Sequence, residues 1–354
     1  MSSKGKIIIG MSGGVDSAVA AYLLKSEGYE VIGVTLKTWD GEYNRCCETK
    51  EAERTARLIG IPFYVFNCVE AFKKKVTEPF IESYINGVTP NPCVVCNSDL
   101  KWERMLYHAR VFGAEKVATG HYAGIGRLSN GRLAVKRAGH QEKDQSYMLY
   151  RLTQEELEAT VFPLSKHSKE EVRSIASEIG MSVANRPDSQ EICFVPDKDY
   201  AGYIEENAGM NVPGEGNFLD EEGHILGRHK GIIHYTVGQR KGLNLPLGFP
   251  AYVKEIRPED NTVILGSNES LFKREVFMGD LAFMGMDPLK PGEERSCFAK
   301  VRYRHKAAKA LIRRLDEERM RILFDEPVRA AAPGQSAVLY DEEGYVLGGG
   351  KILR

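Results

Sequence analysis

Along the first third of the chain, short unbroken apolar runs alternate with stretches whose apolar residues recur every three or four positions. KIIIG precedes DSAVAAYLLKSEG, EVIGVTL precedes ETKEAERTARLIG, and PFYVF precedes AFKKKVTEPFIESYING. Runs of the first kind read as strands buried on both faces, the others as helices with one apolar face. Their alternation predicts a doubly wound α/β domain around a parallel sheet. SDLKWERMLYHARVFG adds a helix whose Trp102, Met105, Leu106, Ala109 and Phe112 share the face expected to pack on the sheet, ahead of a strand-like EKVATGH. Asn130-Gly131 between apolar segments predicts a tight hairpin, and SKEEVRSIASEIG a capped helix from Ser168 to Gly180.

Beyond about residue 211 the pattern changes to NVPGEGNFLDEEGHILGRHKG, rich in glycine and acidic turns, with short strands such as AYVKEI and TVILG. From about 273 come short alternating segments, SCFAKVRYRH, KALIRRL, RMRILFD, QSAVLYD and YVLGGGKIL, as in a small antiparallel β-barrel. The expected organisation is a catalytic domain over 1–210, a small central domain over 211–272 and a barrel over 273–354.

Composition narrows the setting. The chain has 354 residues, seven cysteines and a net charge of −1. Neither a signal peptide nor a membrane span is legible, so a cytoplasmic location with no membrane partner is expected. An odd number of cysteines in such a setting argues against a disulfide framework. Near-zero net charge means that any nucleic-acid contact must come from local basic patches.

The strongest chemical signal is KIIIGMSGGVDSAVAAYLL, a glycine-rich turn between a buried strand and an apolar helix. Gly13 and Gly14 let backbone N–H groups approach an anion, and the helix beginning near Val15 or Asp16 adds its positive end. No lysine lies between Lys6 and Lys25, so this is not the loop of kinases and GTPases. Asp16 beside phosphates would be repulsive without an intervening cation, so Mg²⁺ is expected with the nucleotide.

The second signal is NPCVVCN, with SQEICFV about a hundred residues on. Asn97 or Ser98 reads as the cap of the following helix, which places Cys96 at that helix's amino end, where the dipole favours thiolate. A zinc site would need a fourth ligand, His121 or the Cys46-Cys47 pair, and neither has convincing spacing. Cys68 and Cys297 read as buried small hydrophobes, as do Cys46 and Cys47, although their segment reads as a loop.

SGGVDS resembles the signature of the PP-loop ATP pyrophosphatases, and the ordered set GMSGGVDS, NPCVVCN, ATGHYA, KDQSYML, DSQEICFV and HYTVGQRKGL resembles the bacterial tRNA 2-thiouridylase family over nearly the whole chain. That resemblance implies adenylation of O2 of the wobble uridine in glutamate, glutamine and lysine tRNAs by ATP, then replacement of the oxygen by sulfur. It implies that Gly10, Met11, Ser12, Gly13, Gly14, Val15, Asp16 and Ser17 hold ATP, with Leu36 and Gly120 near the adenosine. Cys96 is the implied nucleophile and Cys193 the implied persulfide carrier, loaded by a cysteine desulfurase or a sulfur-relay protein. Asn91, Pro92 and Cys93 should lie near the target base, and His121, Lys143, Asp144, Gln145, Arg302, Tyr303 and Gln335 should contact tRNA. KVRYRHKAAKALIRR, with seven Lys or Arg and no acid, offers a basic patch, and strand alternation would put Arg302, Arg304 and Lys306 on one face.

Many members of that family carry aspartate where this chain has Cys93. Three thiolates, Cys93, Cys96 and Cys193, suit a four-iron four-sulfur cluster with one open iron. In the competing scheme Cys193 carries a persulfide, Cys96 releases its sulfur, and a Cys96-Cys193 disulfide awaits reduction. A PP-loop synthetase that adenylates a small acid would explain the loop but leave the cysteines idle. A non-catalytic RNA-binding protein would leave SGGVDS idle.

Overall fold

A computed structural model describes residues 4–39, 49–184 and 192–354. Cys46 and Cys47 lie outside the described residues. In the first domain, β1 (Lys6–Gly10), β2 (Glu30–Lys37), β3 (Phe63–Asn67) and β4 (Lys116–Ala118) are followed by a hairpin, β5 (Ala123–Arg127) and β6 (Leu133–Arg137), and by β7 (Thr160–Val161). The sheet order is β3-β2-β1-β4-β7, all parallel, with Ile9 of β1 opposite Gly33 and Ala118. Successive side chains of a strand point to opposite faces. Ile7 and Ile9 accordingly pack with the helices Val15–Ser26, Thr49–Ile59 and Lys169–Glu178, while Ile8 packs with Trp102, Met105 and Ala109. The expected doubly wound arrangement is therefore present, as is the helix stripe.

Gly131 takes φ +83° in the turn between β5 and β6, the left-handed conformation that an Asn-Gly hairpin needs. Ser168 caps Lys169–Glu178 in a reciprocal capping box with Glu171.

The middle of the chain forms a four-stranded sheet, β10 (Tyr252–Arg257), β11 (Thr262–Gly266), β8 (Gly216–Leu219) and β9 (Ile225–His229) in spatial order, with β11 and β8 parallel. The last part is a closed six-stranded antiparallel barrel of β12 (Phe272–Phe283), β13 (Glu294–Lys300), β14 (Ala308–Arg314), β15 (Met320–Arg329), β16 (Ser336–Tyr340) and β17 (Val346–Ile352). β12 is the barrel strand with no clear signature in the sequence. Its register breaks after Lys273 and again after Gly279, so no clean alternation marks it.

One sequence expectation fails here. Residues 301–305 are bends and turns, since β13 ends at Lys300. Arg302, Arg304 and Lys306 therefore do not share a strand face. Arg302 is half-buried and donates to the carbonyls of Ala330 (2.9 Å) and Val237 (2.5 Å), tying the barrel to the central domain, while Arg304 and Lys306 are exposed. No helix among the described residues is long and apolar enough to cross a membrane.

Candidate active site

The phosphate loop is shaped by its own hydroxyls. Ser17 Oγ accepts from the Ser12 N–H (3.1 Å) and donates to the Gly14 carbonyl (3.1 Å), closing the turn before Val15–Ser26. Gly13 sits at φ +82°, where a side chain would be strained, and Gly14 is the N-cap. Thr35 Oγ1 donates to the Met11 carbonyl (2.6 Å), and Met11 N–H donates to Val34 (2.8 Å), so β2 fixes the loop's entry. Gly120 is pressed against the loop. A Cβ there would lie 2.6 Å from the Ser17 nitrogen and 2.8 Å from the Asp16 carbonyl carbon.

Asp16 has partners that the sequence did not reveal. Lys169 Nζ lies 2.7 and 2.9 Å from its two carboxylate oxygens, and Tyr122 Oη donates to Oδ1 at 2.7 Å. The loop's carboxylate thus has a lysine counter-charge from 153 residues away, which offsets its repulsion of phosphate without a cation bound at Asp16 itself. The sequence shows only a lysine opening a capped helix, where the dipole disfavours a cation; its burial, which makes an acidic partner necessary, is visible in the fold alone.

The thiol segment differs from its expected capping. The helix begins after Asn91 and runs Pro92–Cys96, then continues through a π-helical stretch, Asn97–Trp102, into Glu103–Val111. Asn97 and Ser98 lie inside this helix, donating to the Met148 and Val94 carbonyls. Cys96 is its fifth residue, so the dipole, which fades within the first turn, acts more on Cys93. Cys93 is exposed, Cys96 is buried, and Cys193 is half-buried in the turn that precedes Phe194.

Cys96 and Cys193 join one apolar cluster with Phe80, Phe194, Tyr203 and the half-buried Leu36. Leu36 also packs into the cluster against the sheet. Cys93 does not belong to either. It lies close enough to Tyr303 to help raise the pKa of that phenol, after burial and Asp144, against the lowering effect of Arg304. Burial raises the Cys68 thiol and pushes the Cys297 thiol up to about 12, as expected of core cysteines.

The residues expected at tRNA divide into two groups. Asp144 is buried, and its carboxylate accepts from Ala138 N–H, Ser146 N–H and Ser146 Oγ (3.1, 3.1 and 2.9 Å). Gln145 pairs with both backbone groups of Tyr122, its side-chain Oε1 accepting at 3.0 Å and its backbone N–H donating at 2.9 Å. His121 is half-buried beside Trp102 and Phe162, its Nδ1 sharing a hydrogen bond with Thr119 Oγ1 (2.7 Å), and desolvation pushes its pKa down to about 3. These side chains shape the interior. Lys143 and Tyr303 are partly exposed.

Gln335 has a further role in this geometry. Its Nε2 donates to the carbonyls of Thr89 and Pro90 (3.1 Å each), immediately before Asn91, Pro92 and Cys93. Thr89 N–H donates back to Pro333 (3.0 Å), and Gly334, at φ +87°, allows Val88 and Thr89 to approach where a Cβ would lie 2.2 Å from the Val88 side chain. The barrel's PGQ turn thereby holds the entry to the thiol helix.

The chain matches three family descriptions in succession: tRNA methyl transferase HUP domain over 5–197, tRNA methyl transferase PRC-barrel domain over 203–267, and aminomethyltransferase beta-barrel domain over 273–352. It is 48% identical over 359 aligned positions to the tRNA-specific 2-thiouridylase MnmA of Lachnoclostridium phytofermentans, with 99% of each chain covered. It belongs to the tRNA-specific 2-thiouridylase family. The 2-thiouridylase of Clostridioides difficile is 49% identical, covering 98% of each chain, and that of Clostridium botulinum strain Alaska E43 is 46% identical, covering 99% of this chain and 98% of its own. The family descriptions carry a methyl-transfer label, whereas these 2-thiouridylase relatives align over nearly their entire length.

Proposed function

We propose that this chain is a tRNA-uridine 2-sulfurtransferase that uses ATP to activate O2 of the anticodon wobble uridine in glutamate, glutamine and lysine tRNAs. The observation that carries this reading is the shared cluster in which Leu36, at the end of β2 beside the phosphate loop, packs with Cys96 and Cys193. Nucleotide and thiols then meet over one base.

The chemistry requires two stages. A uridine C2 carbonyl has no usable leaving group, so O2 first attacks the α-phosphorus and pyrophosphate departs with the bonding electrons. The N–H groups of the phosphate loop and the helix end stabilise the phosphates, and Mg²⁺ accompanies ATP. The terminal sulfur of a Cys193 persulfide, supplied by a cysteine desulfurase or relay protein, then adds to C2 and AMP leaves. Cys96 thiolate attacks the Cys193 sulfur, leaving the outer sulfur on C2 and forming a Cys96-Cys193 disulfide. Two electrons from an external thiol pair restore the enzyme. Extruding the wobble base costs less in an anticodon loop than in a duplex, because no base pair has to be broken.

A second reading rests on Cys93 and Cys96 standing three apart on one helix, and so on neighbouring positions of one face. With Cys193 they would hold a four-iron four-sulfur cluster, whose open iron would supply a bound hydrosulfide as nucleophile. Protein purified without oxygen and assayed for iron, acid-labile sulfide and tRNA thiolation separates the two routes. Iron-free protein that thiolates tRNA, and an active Cys93→Asp variant, support the persulfide route. About four iron per chain, lost with any of the three cysteines together with activity, overturns it. The reaction itself is tested by AMP release that depends on tRNA. AMP formation that needs a small carboxylic acid and ignores tRNA, or transfer of a methyl group instead of sulfur, refutes it.

A further inference from the structure

The central domain carries a long loop between the short helix Ile232–His234 and β10, whose chemistry the reaction does not use. From Gly231 to Val253 it contains no acidic residue, in a chain that is otherwise balanced in charge. Arg240 and Lys241 are adjacent and exposed. Phe249 is 64% exposed, among the most exposed large apolar side chains of the described residues. The loop curls around an open concavity of about 710 Å³ lined by Arg240, Leu243, Leu247 and Phe249, among others.

This exposure does not come from a floppy segment. Leu243 is buried in the core of the central domain, and Leu245 and Leu247 pack against it. Gln239 Nε2 donates to the Lys241 carbonyl (3.0 Å), and Gly242 and Gly248 take φ +80° and +72° to complete the bends. The base of the loop is anchored, and the aromatic ring and the two cations are what it presents. A largely exposed phenylalanine ring on an anchored loop presents a flat apolar face on which another π system can stack.

The loop starts beside the candidate active site. Thr236 Oγ1 lies 3.5 Å from Thr89 Oγ1, at the entry to the thiol helix. Val237 accepts from Arg302, whose turn also carries the exposed Arg304 and Lys306. Exposed cations from two domains therefore flank one junction with the thiol segment, and a polyanion reaching Cys96 would run along it.

The geometry points to loop 237–251 as a second RNA-binding element, in which Phe249 stacks on an unpaired base of the substrate tRNA and Arg240 and Lys241 contact its phosphates. The inference rests on the proposed tRNA thiolation. It requires no sequence readout, because stacking and phosphate contact are available to any base and backbone.

The test is binding of full-length substrate tRNA to the full chain by fluorescence anisotropy over a salt series, for Phe249→Ala and for Arg240→Ala/Lys241→Ala, with melting temperature as a folding control. Phe249→Ala should weaken binding about tenfold at every salt concentration, within the range for loss of one stacked base. The double variant should lower the slope of log affinity against log salt by about 2, as expected for two lost phosphate contacts. Wild-type affinity and slope in both folded variants overturn the inference and leave the thiolation reading intact. Unchanged tRNA binding with lost sulfur transfer from a persulfide donor protein, but normal thiolation from free sulfide, also overturns it by assigning the loop to a protein partner. Failure of the wild-type chain itself to bind tRNA sinks the thiolation reading instead.

Discussion

Gly120→Ala adds one methyl group at the place where β4's exit loop presses on the phosphate loop. Backbone strain is not the issue, because Gly120 is not among the glycines with positive φ. The added Cβ would lie 2.6 Å from the Ser17 nitrogen, about 0.8 Å inside ordinary van der Waals contact. Both nearest neighbours, Ser17 and Asp16, are met at backbone atoms of the first helical turn, so no side chain can swing aside. Either that turn or the loop carrying His121 and Tyr122 must move by most of an ångström. Overpacking of this kind costs about 1–3 kcal/mol, and a displacement near 1 Å of a positioning element costs about a hundredfold in rate. The expected result is a fall of about two orders of magnitude in kcat/KM for ATP, measured as tRNA-dependent AMP release, with a lowered Tm. Gly124→Ala serves as control, since its Cβ would meet only the Lys136 side chain at 3.4 Å and the Lys136 carbonyl at 3.8 Å. Wild-type ATP kinetics and Tm in Gly120→Ala would refute the steric argument.

Lys169→Met leaves Asp16 with Tyr122 as its remaining bonded partner in the triad, and a loss of about 2 kcal/mol is expected, reduced from the fully buried case because Asp16 is one-third exposed; an unchanged urea midpoint would contradict it. His121 has a folded pKa near 3 against an ordinary 6.5, so its contribution to stability is complete above 6.5 and is lost as pH falls toward 3. His121→Gln should therefore flatten the decline of stability between pH 6.5 and 4, whereas an identical slope in both proteins would show that His121 does not carry it. Cys297, titrating near 12 in the barrel core, should resist maleimide at pH 8 until the protein is unfolded, while the exposed Cys93 reacts in the native state; native labelling of Cys297 would count against the packed barrel. Arg304→Ala/Lys306→Ala should reduce the salt slope of tRNA binding by about 2, and an unaltered slope would remove the barrel turn from the RNA surface.

Much of this protein was legible in order along the chain. The parallel sheet followed from strand and helix periods, because burial on both faces makes β1 and β2 continuous apolar runs. The phosphate loop was legible because backbone conformation is a local property, and Gly13 and Gly14 announce it. The thiols were legible as residue types, and the buried places of Cys68 and Cys297 followed from their apolar neighbourhoods. What failed were inferences that extended a local rule past its element. The alternation of β13 did not continue through Arg302 to Lys306, since the chain turns after Lys300, and Cys96 proved to be inside its helix because Pro92 starts it four residues earlier.

The sequence by itself determined the parallel sheet, the barrel, the anion-binding turn and the set of available thiols, all of which depend on interactions between near neighbours or on side-chain period. Only the tertiary structure decided which side chains were already engaged. Lys169 reaches Asp16 across 153 residues, Gln335 reaches Thr89 and Pro90 across more than 240, and the Asp144 carboxylate accepts from Ala138 and Ser146. Those pairings are set by how packed layers close on one another, and a charge or amide that looks available in one dimension is engaged in three because leaving a buried polar group without a partner is costly.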